Sequence, residues 1–364
     1  MKIAVVHDYL CGMGGSERVF QYICEEFSEA DIYTLAYNPK LSPTYFKAQK
    51  IRTTWLNFFI HSMESFRWFF PISTYVMQSL NFNEYDLVIT SSATVAKYIK
   101  VPNGIHICYC YIPTRALWQT DEYFGSSYKK IFLSFFLNYL RKRDINAANQ
   151  VDKFISISKV TENSIKKIYN KDSYIIPSPI DLDKFKYKSK KSSNFLIVSR
   201  LEKWKKLDYA IEAFNKLGLP LRVIGTGAEE KKLRNIGKSN ITFLGAVDDD
   251  TLAREYSSAK AVIFTPYLEF GLIPLEANAS GTPVICFGKG GVLETMISTD
   301  NPIKNKHHPT AIFFYEQTPE ALINAIKDFE NYTFSSKDLV SHANKWGIKE
   351  FKKKLRQYVN KILD

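Results

Sequence analysis

Glu269-Phe-Gly-Leu-Ile-Pro-Leu-Glu276, continued by Ala-Asn-Ala-Ser-Gly-Thr-Pro-Val-Ile-Cys286, is the stretch on which the reading of this chain turns. The hydrophobic run Ala261–Thr265 precedes it, so two carboxylates fall where a buried strand hands over to a helix. A helix start carries unpaired N–H groups and the positive end of the helix dipole, both of which favour an anion. Glu276 is expected on the first turn of that helix. Carboxylates beside amides ready to receive phosphate fit a sugar-nucleotide ligand.

Outward from this stretch, strand and helix patterns alternate. Lys2–His7, Leu87–Ser91, Ile105–Tyr111 and Lys153–Ser158 read as buried strands, with helical patterns such as Glu17–Phe27 and Thr161–Tyr169 between them. The prolines of Ile176-Pro-Ser-Pro-Ile-Asp-Leu-Asp-Lys-Phe185 and the polar run Lys186–Ser193 break the pattern. It resumes with strands at Phe195–Ser199, Leu221–Gly225, Ile241–Leu244 and Ala261–Thr265, and helices at Leu207–Leu217, Ala228–Ile236 and Thr251–Ser258. The alternation predicts a doubly wound α/β protein with domains at 1–185 and 186–345 and a basic amphipathic helix at 346–364.

Composition is consistent with two domains. The 364 residues exceed the roughly 250–300 at which one core stops growing. A 45% hydrophobic fraction is ordinary for a globular chain, and a net charge of +12 points to a polyanionic, lipid or phosphate-bearing partner. Five cysteines show no metal spacing, and a reduced cytoplasmic compartment is expected. The start, Met1-Lys-Ile-Ala-Val-Val-His7, is too short for a secretion signal, and no run of 18 apolar residues occurs. Any membrane contact is therefore expected to be peripheral.

Further motifs share the order of a known family. They are His7-Asp8-Tyr-Leu, Gly14-Gly15-Ser-Glu-Arg18, Ser199-Arg200-Leu201, Lys205, Gly225-Thr-Gly227, the Glu269–Glu276 stretch and Gly290-Gly291. Together they resemble the retaining family-4 glycosyltransferases, and among them the bacterial surface-polysaccharide mannosyl- and rhamnosyltransferases. The resemblance implies the GT-B fold, two Rossmann-like domains facing an interdomain cleft. It implies a nucleotide diphosphate sugar donor, such as GDP-mannose or a 6-deoxy sugar donor, and a lipid-linked or growing polysaccharide acceptor. No protein nucleophile is implied: the leaving phosphate assists the incoming hydroxyl on the same face. Neither cofactor nor metal is expected, and no nucleic acid.

By the same resemblance, Arg200 and Lys205 neutralise the leaving diphosphate, while Leu275 and Glu276 lie at the nucleotide, with Glu276 on the ribose hydroxyls. A guanidinium and an ammonium at the carboxyl end of a strand suit that charge. On sequence alone Lys203 and Lys206 are alternatives to Lys205. Gly14 and Gly15 let the backbone approach phosphate closely. His7, Asp8, Tyr111 and Arg115 are candidates for acceptor or sugar, although polar satisfaction of a strand end would equally explain His7 and Asp8.

Two positions depart from the family pattern. The first glutamate of the usual pair falls on Leu268, so either Glu269 serves from one residue later or the contact is missing. Tyr111 stands where a histidine usually reaches the sugar's 6-hydroxyl. The departures allow an altered donor, a 6-deoxy sugar above all, or a nucleotide-binding protein with weakened turnover. A protein bound to anionic lipid through its charge is the remaining alternative.

Two segments invite an interfacial reading beside a core one: the aromatic Trp55–Phe70, and Lys129–Arg143, apolar between cations. The second is the better candidate, having five basic residues and no acid. Asp248-Asp-Asp250 reads as a helix cap, not a metal site, and His307 and His308 lack zinc spacing.

Overall fold

The computed structural model describes residues 1–12, 14–120, 129–186, 190–300 and 308–364, without the side chains of 129–133. Met13, part of the Lys186–Ser193 run, His307 and the side chains of Lys129 and Lys130 therefore lie outside the described residues.

The chain divides into two compact units, Met1–Pro177 with Lys352–Asp364, and Ser178–Phe351. The division falls inside the proline-broken run and not at 185/186. Ile180 pairs its main chain with Gly347, and the Phe185 ring packs edge-on against Tyr256 at 5.5 Å, so this stretch belongs to the second unit.

The first unit is built on seven parallel strands: β1 (Ile3–His7), β2 (Asp31–Thr34), β3 (Ile51–Thr53), β4 (Leu87–Ser92), β5 (Ile105–Cys110), β6 (Lys153–Ser156) and β7 (Ser173–Ile175). Their order is β3-β2-β1-β4-β5-β6-β7. β1 is buried throughout because Ile, Ala and Val face helices on both sides of the sheet. Strands β2, β3 and β7 are short and were not evident from periodicity.

The second unit repeats the plan with β8 (Phe195–Val198), β9 (Leu221–Ile224), β10 (Ile241–Gly245), β11 (Val262–Phe264), β12 (Val284–Phe287) and β13 (Ala311–Phe314), in the order β10-β9-β8-β11-β12-β13. Strand order reverses between β1 and β4 in one sheet and between β8 and β11 in the other. Loops leaving the carboxyl ends of such a pair diverge and open a crevice, the usual ligand position of this architecture.

The last helix, Ile348–Leu363, buries Phe351, Leu355 and Val359, spaced four apart on one face. Its later turns meet helix Gly15–Glu26: Lys352 Nζ bonds Glu25 at 2.7 Å, and Arg356 Nε bonds Glu26 at 2.8 Å. Tyr358 stacks on Tyr174 at 4.6 Å. Among the described residues no helix is long and apolar enough to cross a membrane.

Candidate active site

In the second unit, the loop after β8 is shaped by glycines of the loop after β9. A Cβ on Gly225 (φ +124°) would stand 1.8 Å from the Ser199 carbonyl oxygen, and one on Gly227 2.5 Å from that of Leu201. The Leu201 N–H donates to Thr226 O at 2.9 Å, and Glu229 N–H to Leu201 O at 2.8 Å. Only glycine permits this approach, which fixes the main chain on both sides of Arg200.

Lys203–Lys205 then forms one 3-10 turn, closed by Lys206 in the left-handed region (φ 54°). The three lysines separate clearly: Lys203 and Lys206 are exposed, whereas Lys205 is buried. The Lys205 ammonium lies 4.1 Å from the centroid of the Trp204 ring, and the exposed Arg200 guanidinium 6.0 Å from it. Thr265, at the end of β11, donates its hydroxyl to the Lys205 carbonyl at 2.7 Å, and its own carbonyl accepts from Tyr209 at 3.0 Å and Gln317 at 2.9 Å. The cation loop is thus tied to the strand from which the glutamate loop departs.

That helix runs Leu272–Ala279 after Gly271, starting earlier than a first-turn Glu276 would require. Glu269 accordingly precedes the cap, and Glu276 is the fifth helical residue, not a member of the first turn. Pro274 occupies the first turn, where its missing N–H breaks no helical bond. Glu276 is partly exposed, and its Oε2 accepts from the Tyr256 hydroxyl at 2.8 Å. Leu275 is fully buried, so its side chain is a core residue and only its main chain is left for a ligand.

Gly290-Gly291 holds the glutamate loop in register. Leu268 forms a bridge with Gly290, and the Gly291 N–H donates to Leu268 O at 2.8 Å. A Cβ on Gly291 would stand 2.3 Å from the Glu269 carbonyl oxygen. Leu268 is therefore pinned by its main chain, and the buried Glu269 follows it.

In the first unit the structure gives most of the candidates internal partners. Both carboxylate oxygens of Asp8 are engaged: Oδ1 accepts the N–H groups of Val95 (2.8 Å) and Ala96 (2.6 Å), and Oδ2 those of Ala93 (2.6 Å) and Thr94 (2.9 Å). Asp8 thus anchors the loop after β4. The His7 Nδ1–H donates to the Ser91 carbonyl at 3.1 Å, and the ring stacks on Phe20 at 4.7 Å. Burial lowers the His7 pKa, although Glu17 and Asp8 pull the other way.

Tyr111 donates its hydroxyl to the Ser16 carbonyl at 2.9 Å and lies 2.9 Å from Ser91 Oγ, and burial raises its pKa. Arg115 opens the short helix Arg115–Trp118 and is half-buried. This segment is anchored by Asp144, which accepts from Lys97 Nζ at 2.9 Å, Thr114 Oγ1 at 3.0 Å and Trp118 Nε1 at 2.8 Å. Burial would raise the Asp144 pKa, but the Lys97 ammonium and these donors outweigh it and hold it low.

Gly15 is the first residue of its helix, and Gly14 caps it. Sequence reasoning missed Glu17, whose buried carboxylate accepts the Gly14 N–H at 3.1 Å and the Ser16 hydroxyl at 2.9 Å. Glutamate three residues past a helix cap is the available signal. One carboxylate thus already occupies the glycine turn.

Asp248 caps helix Asp249–Ser258 by accepting Thr251 N–H at 2.7 Å, and His308 lies 3.4 Å from Asp338. All five cysteines are buried thiols. Among the described residues no group of three His, Cys, Asp or Glu side chains is arranged to hold a metal ion.

Comparison with known proteins bears on the fold and the family resemblance. Residues 179–346 match the family described as glycosyl transferases group 1. An uncharacterized glycosyltransferase of Methanocaldococcus jannaschii is 28% identical over 47% of the chain and 46% of its own length. Human alpha-1,3/1,6-mannosyltransferase ALG2 is 26% identical over 70% of the chain and 67% of its own length. The O-antigen chain mannosyltransferase RfbU of Salmonella typhimurium is 27% identical over 54% and 58%. The matched segments thus span between about half and two thirds of these relatives. Anabaena HepE, solved in complex with UDP, superposes with a TM-score of 0.71 at 14% identity, covering 99% of this chain and 100% of that one, a likeness of fold. The chain therefore has the two Rossmann-like α/β units of the GT-B fold, and its residues 179–346 match the glycosyl transferases group 1 family.

Proposed function

We propose that the chain transfers a sugar, with retention, from a nucleotide diphosphate sugar to a hydroxyl of a lipid-linked or growing surface polysaccharide. The observation carrying this reading is the pairing of Arg200 and Lys205 after β8 with Glu269 and Glu276 after β11, on the two sides of the strand-order reversal. A diphosphate lies against the cations, and the ribose hydroxyls against Glu276. The bond from the sugar's C1 to the diphosphate oxygen breaks. The acceptor oxygen bonds to C1 on the same face, and its proton passes to the departing phosphate. Arg200 and Lys205 stabilise the charge left on that phosphate, and the scheme needs no metal. Glu269, buried beside Gly291, is assigned to the sugar.

The mannosyltransferase relatives support a GDP-mannose donor, and the Tyr111 hydroxyl, bonded to Ser16, supports a donor lacking a 6-hydroxyl. That bond equally supports a second reading, a nucleotide-binding protein with weakened turnover.

Calorimetric titration with UDP, GDP and dTDP tests the donor site, with Glu276→Ala as the control. Saturable binding of one nucleotide, weakened by the substitution, is the expected result, and binding of none overturns the reading. A panel of hexose and 6-deoxy donors on that nucleotide, with Arg200→Ala as the inactive control, then separates an altered donor from lost turnover.

A further inference from the structure

Helix Met63–Gln78 has two apolar faces, of which the fold uses one. Phe66, Phe70, Val76 and Met77 enter the core of the first unit. Trp68, Ile72 and Tyr75, spaced four and three apart, form a stripe on the solvent side, and Trp68 is 87% exposed. A globular helix ordinarily turns polar residues outward.

The stripe continues at both ends. Before the helix, the turn Trp55–Phe58 leaves Phe58 81% exposed, and the Phe59 ring, 5.7 Å from Phe69, joins this turn to the helix. On the other side, helix Lys129–Asn149 presents Phe135, 91% exposed, with Phe136 and Tyr139. The Tyr139 and Tyr75 hydroxyls bond to each other, and the Arg143 guanidinium lies 3.6 Å over the Tyr75 ring. The two segments singled out in the sequence therefore form one continuous surface rather than two separate elements. An exposed aromatic surface of this extent marks an interaction site.

Charge identifies the occupant. Among the residues of the two helices whose side chains are described, the cations are Arg67, Arg141, Lys142 and Arg143. The acids are Glu64 and Asp144, and Asp144 is buried in its pair with Lys97. Aromatic rings flanked by cations, with one acid at the surface, match the headgroup zone of an anionic bilayer.

We propose that this face docks on an anionic phospholipid surface, its rings at headgroup depth and its cations on lipid phosphate. The inference stands on the surface alone, and nucleotide binding by the second unit is the control that separates its failure from failure of the transferase reading.

The test is cosedimentation of the full chain with vesicles of phosphatidylcholine, with and without phosphatidylglycerol, at low and high salt. At least tenfold tighter binding to the anionic vesicles is expected, weakened by salt, with a blue shift of tryptophan emission. The triple variant Phe58→Ser, Trp68→Ser, Phe135→Ser should lose at least tenfold in binding. All three side chains are exposed, so its circular dichroism, melting temperature and nucleotide titration should match the parent. Absence of binding to either vesicle, or equal binding by the triple variant, would overturn the proposal. So would a dimer in sedimentation velocity that the triple variant dissociates while vesicles are ignored, which would assign the face to a second copy of this chain.

Discussion

The Thr265 hydroxyl donates to the Lys205 carbonyl at 2.7 Å, a bond between residues sixty positions apart that locks the cation loop to the strand preceding the glutamates. Thr265→Val keeps the shape and removes the donor, at a cost of about 0.5–1.5 kcal/mol for the lost hydrogen bond. Nucleotide affinity should fall roughly five- to tenfold by calorimetry, and Thr265→Ser should restore most of it. Unchanged affinity in the valine variant would mean that the loop keeps its shape without the bond.

Tyr256 sets the orientation of Glu276 through a 2.8 Å bond to Oε2. Removing a hydrogen bond to a charged group costs about 1.5–3 kcal/mol. Part of that cost should appear as lower stability and part as freedom of the carboxylate. Tyr256→Phe is therefore expected to weaken nucleotide binding several-fold while Glu276→Ala weakens it further, and the double variant should equal Glu276→Ala. An additive double variant would show that the two side chains act separately.

His106 is buried beside Thr90, and burial lowers its pKa to about 4, with Asp152 offsetting part of the effect. The fold thus favours the neutral ring. Above pH about 6.5 the ring is neutral in folded and unfolded chains alike, and its contribution is constant. As pH falls from there toward 4 the unfolded chain takes up the proton first, and stability drops by up to about 1.4 kcal/mol per pH unit. His7, also lowered by burial, adds in the same direction. Urea midpoints measured from pH 7 to pH 4.5 should decline, and His106→Gln should flatten the decline.

Lys206 closes the cation turn at φ 54°, a conformation that costs a side chain roughly 1–2 kcal/mol. Its side chain is exposed, so Lys206→Gly should relieve that strain against the smaller entropic cost of glycine. A rise of up to about 1 kcal/mol in unfolding free energy is expected from denaturant titration, whereas Lys206→Ala should gain nothing.

The alternation of strands and helices was legible because buried parallel strands are nearly continuous apolar runs, and β1, β4, β8 and β11 carry that signal. Three-residue strands such as Ile51–Thr53 and Ser173–Ile175 are too short to show a period. The glycines at 225, 227, 290 and 291 marked loops where main chains approach closely, since such an approach leaves its mark on residue type. The start of the glutamate helix was placed too late, with Glu276 on its first turn, because a proline is at home anywhere in that turn and Pro274 does not mark where the turn begins. The fates of Tyr111 and Asp8 depend on partners 95 and 85 residues away, which local pattern cannot reveal. For the aromatic segments, periodicity could not say which rings enter the core, because both faces of Met63–Gln78 are apolar.

The bond between Lys352 and Glu25 joins residues 327 positions apart, and the whole second unit lies in the sequence between them. During synthesis, the first sheet is thus complete long before the helix that covers part of its first unit has been made. The second unit can assemble in the interval, whereas the first must wait with the Glu25–Glu26 end of its helix uncovered. Closing so long a loop is only modestly harder than closing a short one, since the entropic cost grows with the logarithm of its length. Cutting the chain after Phe351 would therefore damage the unit that precedes the cut by some 170 residues in sequence, not the one next to it.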